Sequence, residues 1–322
     1  VVRVCTFAVA LAAAGLAATG CQRDEAAAVT DPAAIVFRDD TDALIELRQP
    51  ARRVVSLSPA LTEVLFAVGC GEALVLRDGW SNHPEEALAV PRIDGFSPGA
   101  EAVIAARPDL VLASYPPDAL RAALRSAGVA FAALSPTGLE GIATGIERVS
   151  LACGEPASGL QVAADFRADV AAVKAAVRGR GTPGVYFELD AGGGRPFTIG
   201  QGSIGAALLE AAGGRNVFEG GATAAFQVSA EAVLAARPQV VLLAYMTGPP
   251  APDARPLVAG RPGWSSMPAF VSGRIAAVDG DLVSRPAPRL IAGLRTLAKL
   301  LHPTIKLPPA RSAAATADRG RR

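Results

Sequence analysis

Gly200, Gly202 and Gly205 form a G-x-G-x-x-G run between a short apolar stretch, P-F-T-I, and a helix-forming one. That spacing suits a pyrophosphate cradled at a helix N-terminus. The apolar stretch is short for the strand such a fold requires, so the run reads better as a tight turn capped by Ser203. Ser203 lies in Q-G-S-I-G, not G-x-S-x-G. A hydrolytic triad would have to recruit His83 or His302, the two histidines of the chain. His302 precedes Pro303 at a helix end, which is a structural or dipole position. His83 lies in a loop, W-S-N-H-P. No catalytic site is expected, and two histidines with four cysteines are a thin inventory for a zinc or iron–sulfur site. Arg285 and Arg289, in S-R-P-A-P-R, can pair with ligand oxygens or form scaffold ion pairs.

These residues sit in two similar halves. Residues 99–114 (GAEAVIAARPDLVLAS) and 229–244 (SAEAVLAARPQVVLLA) are identical at ten of sixteen positions, at an offset of 130. Each copy predicts a short helix ended near its R-P dipeptide, then a Val/Leu run suited to a strand buried on both faces. A helix feeding a buried strand is half of a parallel α/β unit. R-R-V-V-S-L-S-P-A-L-T-E-V-L-F-A-V-G (52–69) and the stretch 183–214 both read as strand, turn and helix. Between the halves lies a linking segment, 139–180, whose latter part, ASGLQVAADFRADVAAVKAAVRG, carries apolar residues at spacings of three and four. It predicts one long helix of about 20 residues, about 30 Å. The fold class is therefore α/β: two Rossmann-like lobes with parallel sheets, residues 52–138 and 181–303, joined by one long backbone helix. Residues 22–51 read as a tether and first hairpin, and 304–322 as a disordered tail.

Of 322 residues, 51% are hydrophobic, enough for two cores, and 31 basic residues nearly balance 30 acidic ones, which argues against a nucleic-acid partner. Residues 1–21 read as an export signal: Arg3, an apolar run from Phe7 to Ala18, then Thr19, Gly20 and Cys21. The run is short of the roughly 20 residues a membrane span needs. An exported chain meets an oxidising compartment, where Cys70 and Cys153 can pair or stay as buried thiols.

The segments RRVVSLSPALTEVLFAVG, WSNHPEE, the two AEAV units, FTIGQGSIGAALLEAAGGRNVFE and WSSMPAFVSGRIAAVDGDLVSRPAPRL resemble, in order, the helical-backbone class of ABC-transporter substrate-binding proteins. That group carries cobalamin, iron–siderophores and haem, and the S-R-P-A-P-R-L ending looks closest to the cobalamin branch. The resemblance implies a monomeric carrier with no resident cofactor. It would take a metal chelate into the cleft between lobes and deliver it to a permease and its ATPase. The A-T-G-C end resembles a lipobox, with Cys21 as the lipidated residue. Trp80, Phe96 and Tyr115 in the first lobe and Tyr245 in the second lie at strand ends or in loops. There open α/β sheets place ligands, so they are the expected cleft lining, with Arg285 as cationic anchor. Phe187, Phe197 and Trp264 are weaker counterparts, and Tyr115 and His83 are candidate axial ligands if the cargo is haem. Glu101 and Glu231, equivalent positions of the repeat, would meet the permease. An exported enzyme or sensor on the same fold is the reading from another class.

Overall fold

Buried and exposed residues alternate along I-V-F-R and L-I-E-L, which pair as a hairpin of β1 (Ile35–Arg38) and β2 (Leu44–Leu47). Ile35, Phe37, Ile45 and Leu47 face the core. The buried Asp39 carboxylate fixes the turn, accepting from Thr41 N–H (2.8 Å) and Ala43 N–H (3.0 Å), and ties it to the first lobe through Ala133 N–H (2.9 Å). The computed structural model describes residues 35–93, 99–191, 195–221, 223–246 and 250–312.

The first lobe alternates strand and helix: β3 (Val54–Ser56), α1 (Pro59–Ala67), β4 (Leu74–Asp78), β5 (Arg92–Ile93), α2 (Ala100–Ala105), β6 (Leu110–Ala113), α3 (Asp118–Ser126) and β7 (Ala130–Ala133). The sheet runs β5-β4-β3-β6-β7, all parallel. Strand order reverses between β3 and β6, so a crevice opens outside their carboxyl ends. V-V-S and L-V-L-A are buried throughout, as strands covered on both faces must be.

Two helices follow, α4 (Gly138–Cys153) and α5 (Pro156–Val177). The long helix expected in the latter part of the segment is α5, and α4 precedes it. Gly154, at φ +82°, ends α4 in the left-handed region, and Pro156 opens α5, so the segment becomes a helical hairpin. At 22 residues α5 is about 33 Å long and matches the expected backbone helix. The two helices cross at Gly159, where a methyl would overlap Ser150 Oγ and Cβ. Gly159→Ala is therefore expected to cost about 2–3 kcal/mol, as overpacking does, measured by urea unfolding against Gly145→Ala, whose added methyl meets open space.

The second lobe contains β8 (Gly184–Asp190), β9 (Phe197–Ile199), α6 (Ile204–Ala211), β10 (Arg215–Asn216), β11 (Ala225–Gln227), α7 (Ala230–Ala236) and β12 (Val240–Leu243). It closes with α8 (Arg255–Ala259), α9 (Pro268–Val271), β13 (Ile275–Ala277), α10 (Gly280–Ser284) and α11 (Leu290–Leu301). Its sheet is mixed, not wholly parallel. The order is β11-β9-β8-β12-β13, with β10 beside the start of β8, and β9 runs antiparallel to β8 and β11. The repeat survives in backbone detail: Arg107 and Arg237, each before its proline, sit at φ +49° and +44° to stop α2 and α7.

The G-x-G-x-x-G run is filled by its own chain. Ser203 caps α6 by accepting from Ala206 N–H (3.1 Å). A Cβ on Gly200 would strike the Thr223 carbonyl, Gly202 sits at φ +82°, and Gly200 N–H donates to Ala224 O (2.9 Å). The 223–225 segment packs directly against Gly200 of this turn. The expected tail also needs correction, because residues 304–312 pack. Ile305 is buried, Arg295 donates to Pro308 O (2.6 Å), and buried Asp169 on α5 accepts from the N–H groups of Arg311 (2.9 Å) and Ser312 (3.0 Å). Residues 313–322 lie outside the described residues, as do the expected export signal and Cys21.

Candidate functional site

The loops after the parallel strands of both lobes carry polar and aromatic groups. In the first lobe a chain of hydroxyls braces them. Thr62 of α1 is within hydrogen-bond distance of Ser56 Oγ (2.9 Å) at the end of β3 and of Ser81 Oγ (2.8 Å). Ser81 donates to buried Asp78 at the end of β4 (2.6 Å), which also accepts from Trp80 N–H (2.6 Å). Ser114, after β6, donates to Ser58 Oγ at the start of α1 (2.9 Å). This bracing spans the switch point and holds the loops that present Trp80 and Tyr115. Their side chains are 58% and 86% exposed, a large apolar area left open at strand ends. His83 follows in the same loop, exposed, and joined to Pro84 by a cis peptide. Phe96 lies outside the described residues.

In the second lobe the corresponding end is built on Glu188 of β8, which is fully buried. Its carboxylate accepts a bidentate pair from Arg261 (2.7 and 2.8 Å), a bond from Tyr186 Oη (2.9 Å) and one from Tyr245 Oη. Arg261 in turn lies over the Trp264 ring, 4.5 Å from its centroid. Burial first, then the bond to Glu188 and its negative charge, pushes the Tyr245 phenol up to about 12, and Tyr186 is raised further by burial and the same charge. Both tyrosines are therefore neutral donors to Glu188. Tyr245 follows β12 and is half-buried at the expected end of the sheet, with exposed Met246 beside it. Phe197, partly exposed, opens β9, and exposed Arg195 precedes it by two residues. Phe187 and Trp264 are core residues, so they do not line the cleft. Even alternation in β8 places Phe187 in the main core, where a strand end alone cannot tell lining from packing.

The lobes meet at an ion cluster. Glu63 of α1, 4% exposed, accepts from Arg289 Nε (2.6 Å) and lies 3.5 Å from Arg285 Nη1. Arg285 also pairs with Asp281 (2.8 Å) and donates to Asn82 Oδ1 (2.7 Å), so the Trp80 loop is fastened to α10 of the other lobe. The structure thus corrects Arg285 as a ligand anchor. Its guanidinium, 11% exposed, is committed to two carboxylates and an amide across the lobe seam. Sequence reading missed Glu63, the acid that decides this. Its signal was available, since a glutamate inside an otherwise apolar helix, A-L-T-E-V-L-F, needs a buried partner.

Glu101 and Glu231 stand exposed in the first turns of α2 and α7, at equivalent places on the two lobes. Glu231 is held below the usual carboxylate range by its own backbone N–H and by Ser229. Cys70 and Cys153 are free thiols buried in the core. Two cavities of about 360 and 380 Å³ lie away from the strand ends, one between the hairpin and α3, the other between α11 and the 310–312 segment. Neither includes the residues braced at the cleft.

Comparison with known proteins agrees with this geometry. The family model described as "Periplasmic binding protein" matches residues 54–282. The chain is 28% identical over 252 residues to a vitamin B12-binding protein of Vibrio parahaemolyticus, covering 76% of this chain and 86% of that protein. Among solved structures, the periplasmic vitamin B12-binding protein of Vibrio cholerae superposes with a TM-score of 0.69 at 26% identity, covering 78% of this chain and 97% of that one. A periplasmic heme-binding protein from Pseudomonas aeruginosa superposes with a TM-score of 0.71 at 26% identity, covering 81% and 96%.

Proposed function

Since the chain belongs to the periplasmic binding protein family, we propose that it is the substrate-binding component of an ABC importer. In this reading it captures cobalamin between its lobes and hands it to a membrane permease and its ATPase. The observation that carries the reading is the set of large side chains left open at the strand ends, Trp80, Tyr115, Phe197 and Met246. Trp80 and Tyr115 sit on braced loops, and the seam's arginines are already neutralised. Such a cleft offers aromatic faces and uncharged polar atoms, which suit a bulky chelate with an amide-bearing rim. Cobalamin has that rim. Calorimetry with cyanocobalamin should give one site per chain, and Trp80→Ala should weaken it by about 10–100-fold, the usual cost of losing a central aromatic contact. Absence of heat and of thermal stabilisation would overturn the reading.

Arg195 favours a second reading. It is an exposed cation beside Phe197, and with the phenol of Tyr115 it suits an anionic cargo such as haem or a ferric siderophore. A Soret shift with hemin that is lost in both Arg195→Ala and Tyr115→Phe would move the cargo to that class.

Glu101 and Glu231 are proposed as the permease contacts, one per lobe, since two charges on a pseudo-symmetric molecule suit a two-fold symmetric partner. Both are exposed, so reversing them to arginine should leave cargo affinity and thermal stability nearly unchanged. The double reversal should abolish association with the cognate permease at low salt, where rim charges steer most strongly. Undiminished association would return both to a helix-dipole role. Cys21 is proposed as the lipid anchor, and Cys21→Ala should release the protein into the soluble exported fraction.

A further inference from the structure

Away from the cleft, the cavity of about 380 Å³ between α11 and the 310–312 segment is lined by charge of one sign. Arg289, Arg295 and Lys299 contribute to its wall, and no Asp or Glu does. The cavity beside the hairpin is balanced, with Asp39 and Glu46 next to Arg121 and Arg125. Helix spacing produces the one-sided wall. Arg289 is the N-cap of α11, and positions 292, 295, 296 and 299 recur at intervals of three and four along one face. Ile291, Ala292 and Ala310 supply apolar surface between the cations.

The chain leaves these charges partly unanswered. Arg289 donates through Nε to Glu63 at the seam (2.6 Å), while its Nη2 is 3.9 Å from Asp281. Arg295 donates through Nη2 to Pro308 O (2.6 Å), which fixes its guanidinium against the 304–312 segment. Arg289 Nη2 and Arg295 Nη1 are enclosed and have no hydrogen-bond acceptor among the described residues. Neither Arg295 nor Lys299 has a carboxylate within ion-pair distance there. Asp169, the acid bonded to the same wall, has its oxygens engaged by the N–H groups of Arg311 and Ser312 and by Ser312 Oγ. Enclosed donors normally find an acceptor, and like charges four residues apart on a helix repel. The helix dipole favours Lys299 in the last turn but opposes Arg289 at the N-cap, so it does not account for the set.

We propose that this cavity binds a phosphate group carrying a small organic body, either a free phosphate ester or a lipid headgroup. The oxyanion lies against Arg295 and Lys299 and supplies the missing negative charge through charge-assisted hydrogen bonds. The organic body lies against Ile291, Ala292 and Ala310. Ligand sites span roughly 300–1,000 Å³, so this cavity is of ligand size and larger than a bare ion needs. Arg289 joins the site to the lobe seam, because the guanidinium that borders the cavity also holds Glu63.

The chain's lysines, Lys174, Lys299 and Lys306, provide the test. All are exposed, and only Lys299 lines the cavity. The purified protein is acetylated briefly with and without glycerol 3-phosphate at constant ionic strength, and each lysine is followed by mass spectrometry. Acetylation of Lys299 should slow in a saturable way, while Lys174 and Lys306 react as before. In calorimetry with the same ester, Lys299→Gln and Arg295→Gln should each weaken binding by about tenfold or more, the cost of one hydrogen bond to a charged group. Lys306→Gln should leave it unchanged. Lys299 makes no hydrogen bond or ion pair among the described residues, so its variant tests the site without disturbing the fold. The rise in melting temperature with saturating ester should be larger in Glu63→Gln, where Arg289 has lost its carboxylate. Vesicles of phosphatidylglycerol, set against phosphatidylcholine, separate the two sources. Protection of Lys299 by the vesicles alone assigns a headgroup, and protection by the ester alone assigns a soluble phosphate. Equal protection of all three lysines, or no protection of Lys299 by either probe, would overturn the proposal. Cobalamin is absent from every arm, so this outcome is independent of the cargo reading.

Discussion

Glu63→Gln is expected to lower unfolding stability by about 3 kcal/mol or more, read from urea titration at neutral pH. Glutamine keeps the shape and removes the charge, so the loss is electrostatic. Two guanidiniums, 11% and 21% exposed at the side chain, would then face the seam with Asp281 as their remaining acid. Asp281 is 2.8 Å from Arg285 but 3.9 Å from Arg289, so it compensates the first far better than the second. This places the cost toward the lower end of the 3–5 kcal/mol typical of breaking a buried pair. The control is Glu63→Gln with Arg289→Gln, which restores charge balance by leaving only Arg285 with Asp281. It should recover part of the loss. A single-variant effect below about 1 kcal/mol would mean that water reaches the cluster and the seam is held by packing instead. Because Arg285 also holds Asn82, the same substitution should loosen the Trp80 loop and weaken cargo binding alongside stability.

The two lobes, their strands and the long helix α5 were legible because each rests on local periodicity. The V-V-S, L-V-L-A and V-V-L-L runs cannot be anything but doubly covered strands in a chain with this many helical segments. The repeat made the lobes visible as copies, down to the R-P stops that the backbone repeats at Arg107 and Arg237. What periodicity does not encode is partnership across distance. Arg285 finds Glu63 across 222 positions, and the choice between ligand anchor and seam ion pair is made by a side chain on another lobe. The same limit explains Trp264 and Phe187, whose aromatic type fits a cleft but whose register points them into core. It explains the tail too. Ile305, Leu307 and Ala310 are spaced too irregularly to announce a contact, yet Asp169 on α5 supplies the acceptor that fixes the chain's exit. The cleft aromatics Trp80 and Tyr115 were legible for the opposite reason: loops at strand ends project whatever they carry, and their position alone is informative.

The second lobe depends as heavily on Glu188, and there the expected signature lies in alkaline solution. Glu188→Gln should cost about 3 kcal/mol at pH 7, because Arg261, 24% exposed at the side chain, loses its bidentate carboxylate and stays half-enclosed over Trp264. The pH dependence separates this from simple loss of packing. In the parent protein the Tyr245 phenol is raised to about 12, with Tyr186 above it, against an ordinary value near 10. Their neutral forms are therefore stabilised by folding. Between pH 10 and 12 the unfolded chain has given up protons that the folded one still holds. The unfolded state binds fewer protons, and stability must fall as pH rises through that window. The Tyr245 contribution is fully present below pH 10 and is lost above 12, and that of Tyr186 is lost at still higher pH. Removing the negative charge of Glu188 takes away one of the causes of the shift, while burial remains the largest. Tyrosine ionisation at 295 nm, followed in a Tyr115→Phe background so that only Tyr186 and Tyr245 report, should move to lower pH in Glu188→Gln. Stability measured at pH 8 and pH 10.5 should then differ less in the variant than in the parent. An unchanged tyrosine titration would place the Glu188 charge away from the phenols and dissolve the network as the organising element of this end of the cleft.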